Sequence, residues 1–250
     1  MSLHFDESNG RFSPYHVRLV RPEDQKALQA CHTQVLEVKY PEDFYFKATH
    51  GCESILGWVA EEEKTGEIVG FITVQVQNAT DARKMEGDLV ALDNSSPFEI
   101  SFWSDGESKF IYILTMGVLV GHRKAGVATA LLGETKKYGE RLHGCHSCYL
   151  HALSTNKAAI EFYRKNAFRV ERLKKSFYVI NVDGCDETHD GLLLSYSYAA
   201  SDDDDTAELS LGYCLLPTTF LNFLQTFGEK MYFKWGLGTI ANHHQHKVKS

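Results

Sequence analysis

No run of eighteen apolar residues occurs anywhere in the chain, and the stretch from Met1 to Gly10 has no apolar core. Neither a membrane-spanning helix nor a signal peptide is therefore expected, and the chain is expected to face the cytosol. A surplus of basic residues is also missing. Lys and Arg number 26 against 33 Asp and Glu, a net charge of −7, which argues against the broad phosphate-backbone contact of nucleic-acid binding. The six cysteines, Cys31, Cys52, Cys145, Cys148, Cys185 and Cys214, are scattered, and without an export signal they are expected to stay reduced. Cys145-His146-Ser147-Cys148 with His143 and His151 nearby offers soft ligands at short spacing. No second cysteine pair accompanies it, and Cys148 opens an apolar strand, so core packing is expected there and no metal is. Asn78-Ala79-Thr80 and Asn94-Ser95-Ser96 match the glycosylation tripeptide, but a chain facing the cytosol would not meet the glycosylation machinery, so they are expected to be chance matches.

With 43% hydrophobic residues over 250 positions, the chain has enough apolar surface for one large domain and an appendage. Its most informative stretch runs from Ile111 to Phe168. Ile111, Tyr112, Ile113, Leu114, Met116, Val118, Leu119 and Val120 form a nearly continuous apolar run with β-branched weight, which reads as a buried strand. Arg123-x-x-Gly126-x-Ala128 follows, and Val127, Leu131, Leu132, Thr135 and Tyr138 then recur with a helix-like spread that stops at Gly144. Strand, glycine turn and helix start, in that order, present unpaired backbone N–H groups and the positive end of a helix dipole to an anion, and glycine lets the backbone approach closely. A pyrophosphate is the natural guest, although such a turn alone is most often only a connection. About thirty residues on, Tyr149, Leu150 and His151 read as a short strand, and Asn156 opens a helix bearing Ala159, Phe162 and Tyr163 before Asn166 and Phe168.

Together, Arg123-x-x-Gly126-x-Ala128 and Asn156-x-x-Ala159-x-x-Phe162-Tyr163 resemble the acetyl-CoA site of the GNAT acetyltransferases. One departure is Ala167, where that family often has glycine and where alanine still permits a tight helix exit. Over residues 15–198 the chain is similar to the N-terminal acetyltransferases, closest to the NatF type, through Phe110 to Val127, Tyr149-Leu150-His151 and Thr155-Asn156. The resemblance implies an α/β GNAT fold, a mixed and mostly antiparallel sheet with a splayed central strand flanked by helices. It implies acetyl-CoA as co-substrate, held by Met116, Val118, Arg123, Lys124, Ala125, Gly126, Val127, Ala128, Thr129, Asn156 and Tyr163. In that family a strand tyrosine and a histidine on the next strand frame the substrate amine, matched here by Tyr112 and His151. An aromatic hairpin grips the substrate, matched by Phe177 and Tyr178, where two tyrosines are more usual. Leu36, Glu37 and Val38, before the shared Tyr40-Pro41, stand where the family shows an aromatic, a proline and an aliphatic residue. The implied partners are protein N-termini that keep Met before a hydrophobic or basic residue, and a cytosol-facing membrane, Golgi in animal members and plasma membrane in plant members. A monomer is expected.

The chemistry gives these residues defined tasks. An α-amine, with a pKa of about 7.8 against about 10.4 for lysine, loses its proton more easily by roughly 3.5 kcal/mol. His151 suits the role of base near neutral pH, whereas an unperturbed Tyr112 would be protonated and would orient or relay. Backbone N–H groups near Met116 to Val118 would take the developing oxyanion if that strand splays or bulges, and Tyr163 could protonate the departing thiolate. Without the family, a satisfied strand histidine, a strand aromatic and a core tyrosine beside Phe162 would be the simpler readings. Internal lysines, as in histones, are the alternative substrate, and a non-catalytic acyl-CoA-binding scaffold is the alternative from another class.

Along the chain, residues 1–14 form a polar leader, 15–198 the acetyltransferase domain, 199–206 an acidic linker with four consecutive aspartates, 207–240 an amphipathic segment and 241–250 a polar tail. A first strand is expected at His16 to Val20, then a helix with Pro22, Glu23 and Asp24 in its first turn, ending before Tyr40. Leu56 to Ala60 and Ile68 to Val76 flank Lys64-Thr65-Gly66 as a hairpin. The polar stretch from Asn78 to Lys109 is expected to be partly structured. Phe177 to Val182 and Leu192 to Tyr198 read as strands joined by a polar connection. Phe220, Leu224, Phe227, Met231 and Trp235 share one helical stripe, which fits equally a helix packed on the domain and one lying in a membrane interface.

Overall fold

A computed structural model of the chain describes residues 4–6, 11–36, 40–86, 108–182 and 185–198. The linker, amphipathic segment and tail expected beyond residue 198 lie outside these residues, as do 87–107 of the polar stretch. Within the leader, β1 (His4–Asp6) pairs antiparallel with β2 (Arg11–Ser13), so that region is a small hairpin where the sequence suggested only polarity.

Seven further strands form one sheet: β3 (Tyr15–Leu19), β4 (Ile55–Glu62), β5 (Ile68–Asn78), β6 (Lys109–Val118), β7 (Cys145–Leu153), β8 (Arg169–Val182) and β9 (Cys185–Ser197). Their order is β3-β4-β5-β6-β7-β9-β8. Every neighbouring pair is antiparallel except β6 and β7. The expected hairpin is β4 and β5, and the expected first strand is β3.

The two-residue period of a strand assigns the helices to faces. Val59 and Phe71 join Leu28, Cys31 and Leu36 of α1 (Gln25–Leu36) and Phe44, Tyr45 and Ala48 of α2 (Glu42–His50) in one buried cluster. Their neighbours Trp58, Ala60, Ile72 and Val74 turn the other way. They pack with Val127, Leu131 and Leu132 of a long helix and with Ile160 and Tyr163 of a short one. A third helix, α3 (Ala79–Glu86), follows β5 directly, with Asn78 Oδ1 accepting the Asp81 N–H at 2.8 Å as its cap. Ala79 and Ala82 are buried against Phe110, Tyr112 and Tyr149. The long and short helices are α4 (Val127–Arg141) and α5 (Lys157–Lys165).

Three elements exceed the expectation. The sequence reading passed over α2, although Glu42 and Asp43 fill its first turn and Gly51, at φ 67°, ends it. The last two strands are also much longer than the segments the sequence marked, because β8 is an edge strand whose bulges break its alternation of buried and open residues.

Candidate active site

The site begins where β6 leaves β7. Lys109 to Tyr112 pair with Cys145 to Tyr149, but from Ile113 to Val118 β6 is paired with β5 alone, and from Leu150 onward β7 is paired with β9 alone. The cause is local. On β5, Thr73 and Val74 are adjacent, yet they face Thr115 and Ile113, so Leu114 is an extra residue that bulges β6 and turns it away. The splayed central strand expected from the resemblance is thus built by one inserted residue. Along the opened edge the backbone groups of Met116 and its neighbours are not taken up by β7.

The opened edge runs into the loop Arg123 to Gly126 and the N-terminus of α4. Lys124 and Gly126 adopt φ of 62° and 83°, and no side chain caps the helix, so the N–H groups of its first turn are left to the solvent side. A Cβ on Gly126 would meet nothing within 4 Å, so its requirement for glycine is conformational. Arg123 folds back, its Nε donating to the Val118 carbonyl at 3.0 Å, and its terminal nitrogens remain as further donors. His122 Nδ1 lies 3.1 Å from the Tyr15 hydroxyl, tying the loop to β3. Val127 is buried, Ala128 half-buried, and Lys124, Ala125 and Thr129 are exposed. Uncapped N–H groups, a left-handed glycine and an arginine beside a free strand edge fit the pyrophosphate and pantetheine of a coenzyme A thioester.

Across the gap stands α5. Asn156 caps it, Oδ1 accepting the Ala159 N–H at 3.1 Å, which leaves the amide hydrogens as the donors Asn156 can offer a ligand. Tyr163 is buried on the following turn with its hydroxyl 4.0 Å from Met116 Sδ. Burial first, then the nearby Cys148, holds that phenol above its usual range and hence protonated. The exit of α5 is a Schellman turn, with Phe168 N–H bonded to Tyr163 O and Ala167 N–H to Arg164 O. Ala167 therefore sits at φ 63°, a position that favours glycine, so alanine permits the exit only with backbone strain.

Where β6 and β7 part, the Tyr112 hydroxyl lies 3.3 Å from His151 Nδ1, within hydrogen-bond reach. The Phe177 ring stacks on His151 with centroids 4.1 Å apart, and Tyr178 packs edge-on to Phe177 at 4.8 Å. Burial, then the phenols of Tyr112, Tyr40 and Tyr163, hold the Tyr178 hydroxyl well above its ordinary range. Burial likewise raises Tyr40, with Tyr112 and Tyr45 adding to it. Leu36, the last residue of α1, is buried in the cluster against which Tyr40 packs; Glu37 and Val38 lie outside the described residues.

Sequence reasoning missed the groups behind Tyr112. The Tyr149 ring packs on it at 4.9 Å, the Tyr149 hydroxyl donates to Gln77 Oε1 at 2.5 Å, and Gln77 Nε2 donates to Gln75 Oε1 at 3.0 Å. Gln75 and Gln77 alternate along β5, a period-two signal of buried polar residues that the apolar reading of the hairpin passed over. Lys136 of α4 donates to the Asn166 carbonyl and lies 3.9 Å above the Tyr196 ring, tying the two helices that flank the gap. Among the described residues no group of three or more His, Cys, Asp or Glu could hold a metal ion. Cys145 Sγ bonds the Ser147 carbonyl and Cys148 is buried in the core, with burial pushing the Cys145 thiol up to about 12.

Comparison with known proteins agrees with this geometry. The model of the acetyltransferase (GNAT) family matches residues 25–168. Over 171 residues the chain is 33% identical to the histone acetyltransferase MCC1 of Arabidopsis thaliana, covering 66% of this chain and 64% of that protein. Over 170 residues it is 27% identical to N-alpha-acetyltransferase 60 of Danio rerio, covering 67% and 65%. The similarity thus spans just under two thirds of the length of these relatives. Arabidopsis thaliana NAA60 solved with acetyl-CoA superposes at a TM-score of 0.59 and 29% identity, over 73% of this chain and 98% of that one. Its complex with a bisubstrate analogue also gives a TM-score of 0.59, at 28% identity over 73% and 97%.

Proposed function

Because the chain belongs to the acetyltransferase (GNAT) family, we propose that it moves the acetyl group of acetyl-CoA to the α-amine of protein N-termini, those beginning with Met before a hydrophobic or basic residue. The observation that carries this reading is the Tyr112–His151 pair, 3.3 Å apart, at the point where β6 and β7 part. In the proposed reaction His151 takes the proton from the incoming ammonium while the Tyr112 hydroxyl orients it. The amine nitrogen attacks the thioester carbon, and the oxyanion that develops is met by N–H groups of Met116 to Val118 on the free edge of β6. The C–S bond then breaks and Tyr163 protonates the thiolate; the second proton of the former amine nitrogen goes to the Tyr163 phenolate, and His151 returns its proton to solvent. Leu36, Glu37, Val38, Tyr40, Phe177 and Tyr178 would border the peptide.

The relatives named N-alpha-acetyltransferase 60 support the amine substrate, and the NatF type rests on the resemblance of the sequence. A second reading, acetylation of internal lysines, is favoured by the relative named a histone acetyltransferase and by the chain's acidic balance. The test of turnover is a Tyr112→Phe, His151→Ala double variant beside its parent. The variant should bind acetyl-CoA as the parent does and lose turnover; a parent without turnover would favour a non-catalytic scaffold.

We further propose a peripheral association with a cytosol-facing plasma or Golgi membrane. The apolar stripe Phe220, Leu224, Phe227, Met231 and Trp235, with Lys230 and Lys234 beside it, supports this. Among the described residues no helix is long and apolar enough to cross a membrane. A chain ending at residue 206 should lose its membrane fraction, and sedimentation with membranes after that truncation would contradict the assignment.

A further inference from the structure

Between Lys174 and Tyr178 the β8–β9 ladder breaks. Lys174 pairs with Gly191 and Tyr178 with His189, so Lys175, Ser176 and Phe177 face Asp190 alone. Two extra residues must leave the line of the strand. Ser176 takes a left-handed φ of 51°, costly for a residue with a side chain, and Asp190 holds it there. Its Oδ1 accepts the Ser176 N–H at 2.9 Å, its Oδ2 accepts Lys175 Nζ at 2.9 Å, and its carbonyl accepts the Ser154 N–H, just past the end of β7, at 2.9 Å. The Ser176 N–H, then Lys175, hold the carboxylate below its ordinary range.

The next residue supplies space. A Cβ on Gly191 would stand 2.9 Å from Phe177 Cδ1, so close that the ring would have to shift, and 3.1 Å from Phe177 Cβ and Cγ, which is tight; glycine leaves the ring its room. Directed by the bulge and admitted by the glycine, Phe177 lies 22° from parallel with the His151 imidazole at 4.1 Å. Lys174 Nζ is 4.8 Å from the centre of the same ring.

We propose that Asp190 and Gly191 are positioning residues of the transfer site, jointly seating Phe177 flat against His151. This rests on the reading of His151 as the group that takes the amine proton. A histidine beside an open gap can turn about its side-chain torsions. A ring stacked on one face removes that freedom, keeps Nδ1 toward the Tyr112 hydroxyl, and closes one wall of the amine's approach to water. Displacement of a reacting group by about 1 Å can lower a rate by about 100-fold, so the seat has leverage without touching substrate.

The experiment uses the full chain with isotope-labelled histidine. The His151 imidazole protons should carry an upfield ring-current shift that Phe177→Leu abolishes. Asp190→Ala and Gly191→Ala should abolish it too, whereas Asp190→Asn, which still accepts the Ser176 N–H, should keep most of it. In the two alanine variants kcat/KM for a Met-starting peptide should fall about tenfold with the Kd for acetyl-CoA unchanged, because the Arg123–Gly126 loop and Asn156 lie on other elements. A shift retained in both alanine variants would overturn the proposal, as would a lost shift with unaltered turnover. Should His151→Ala itself leave turnover intact, the catalytic reading fails and takes the positioning role with it, while the ring-current shift separately reports that the seat exists.

Discussion

His32 of α1 is fully buried among Tyr40, Phe44, Tyr45 and Phe71, and desolvation pushes its pKa down to about 3. In the unfolded chain the same imidazole titrates near 6.5. The folded value is the lower one, so the unfolded state binds the extra proton between these limits. The associated stability is complete above pH 6.5 and is lost as pH falls toward 3, by up to about 1.4 kcal/mol per pH unit. Chemical denaturation between pH 6.5 and 5 should show a steeper loss for the parent than for His32→Phe, and equal slopes would contradict this account. The same scale shows what a sequence reveals of a site. Asn156 and Tyr163 were legible from the spacing of their motif, whereas Tyr112 and His151 were picked out only through the family resemblance, without which each reads as an ordinary strand residue. Asp190, Gly191 and Gln77 were not, because each acts through strand register, which brings a residue beside partners as many as 72 positions away.

Among the elements, the buried strands and the helices after Gly126 and Asn156 could be read directly, since an apolar run and a cap residue are local signals. The Leu114 bulge could not, because it exists only against the ladder of β5. Nor could the full length of β8, whose charged and bulged residues hide its period. The exit of α5 offers a test at this scale. Ala167 occupies the left-handed position of a Schellman turn, so Ala167→Gly should stabilise the protein by about 1 kcal/mol, read as a rise of a few degrees in Tm. A fall in Tm would mean that the strain is relieved elsewhere in the turn.

For the molecule as a whole, one sheet divides the labour. β6 and β7 pair at their start and part at their end, so in the proposed reaction a thioester would enter beside α4 and α5 and an amine beside Phe177 and Tyr178. The net charge of −7 suits cationic substrates in either reading, so charge does not separate an N-terminal amine from a lysine; the geometry of the amine itself must. The most direct measurement is acetyl transfer from acetyl-CoA to matched peptides beginning Met-Lys, Met-Val and Ser-Glu, each also supplied with a blocked N-terminus and a free internal lysine. The account predicts transfer to the free Met-starting peptides alone, whereas transfer that persists on the blocked peptides would contradict it and assign the activity to lysine.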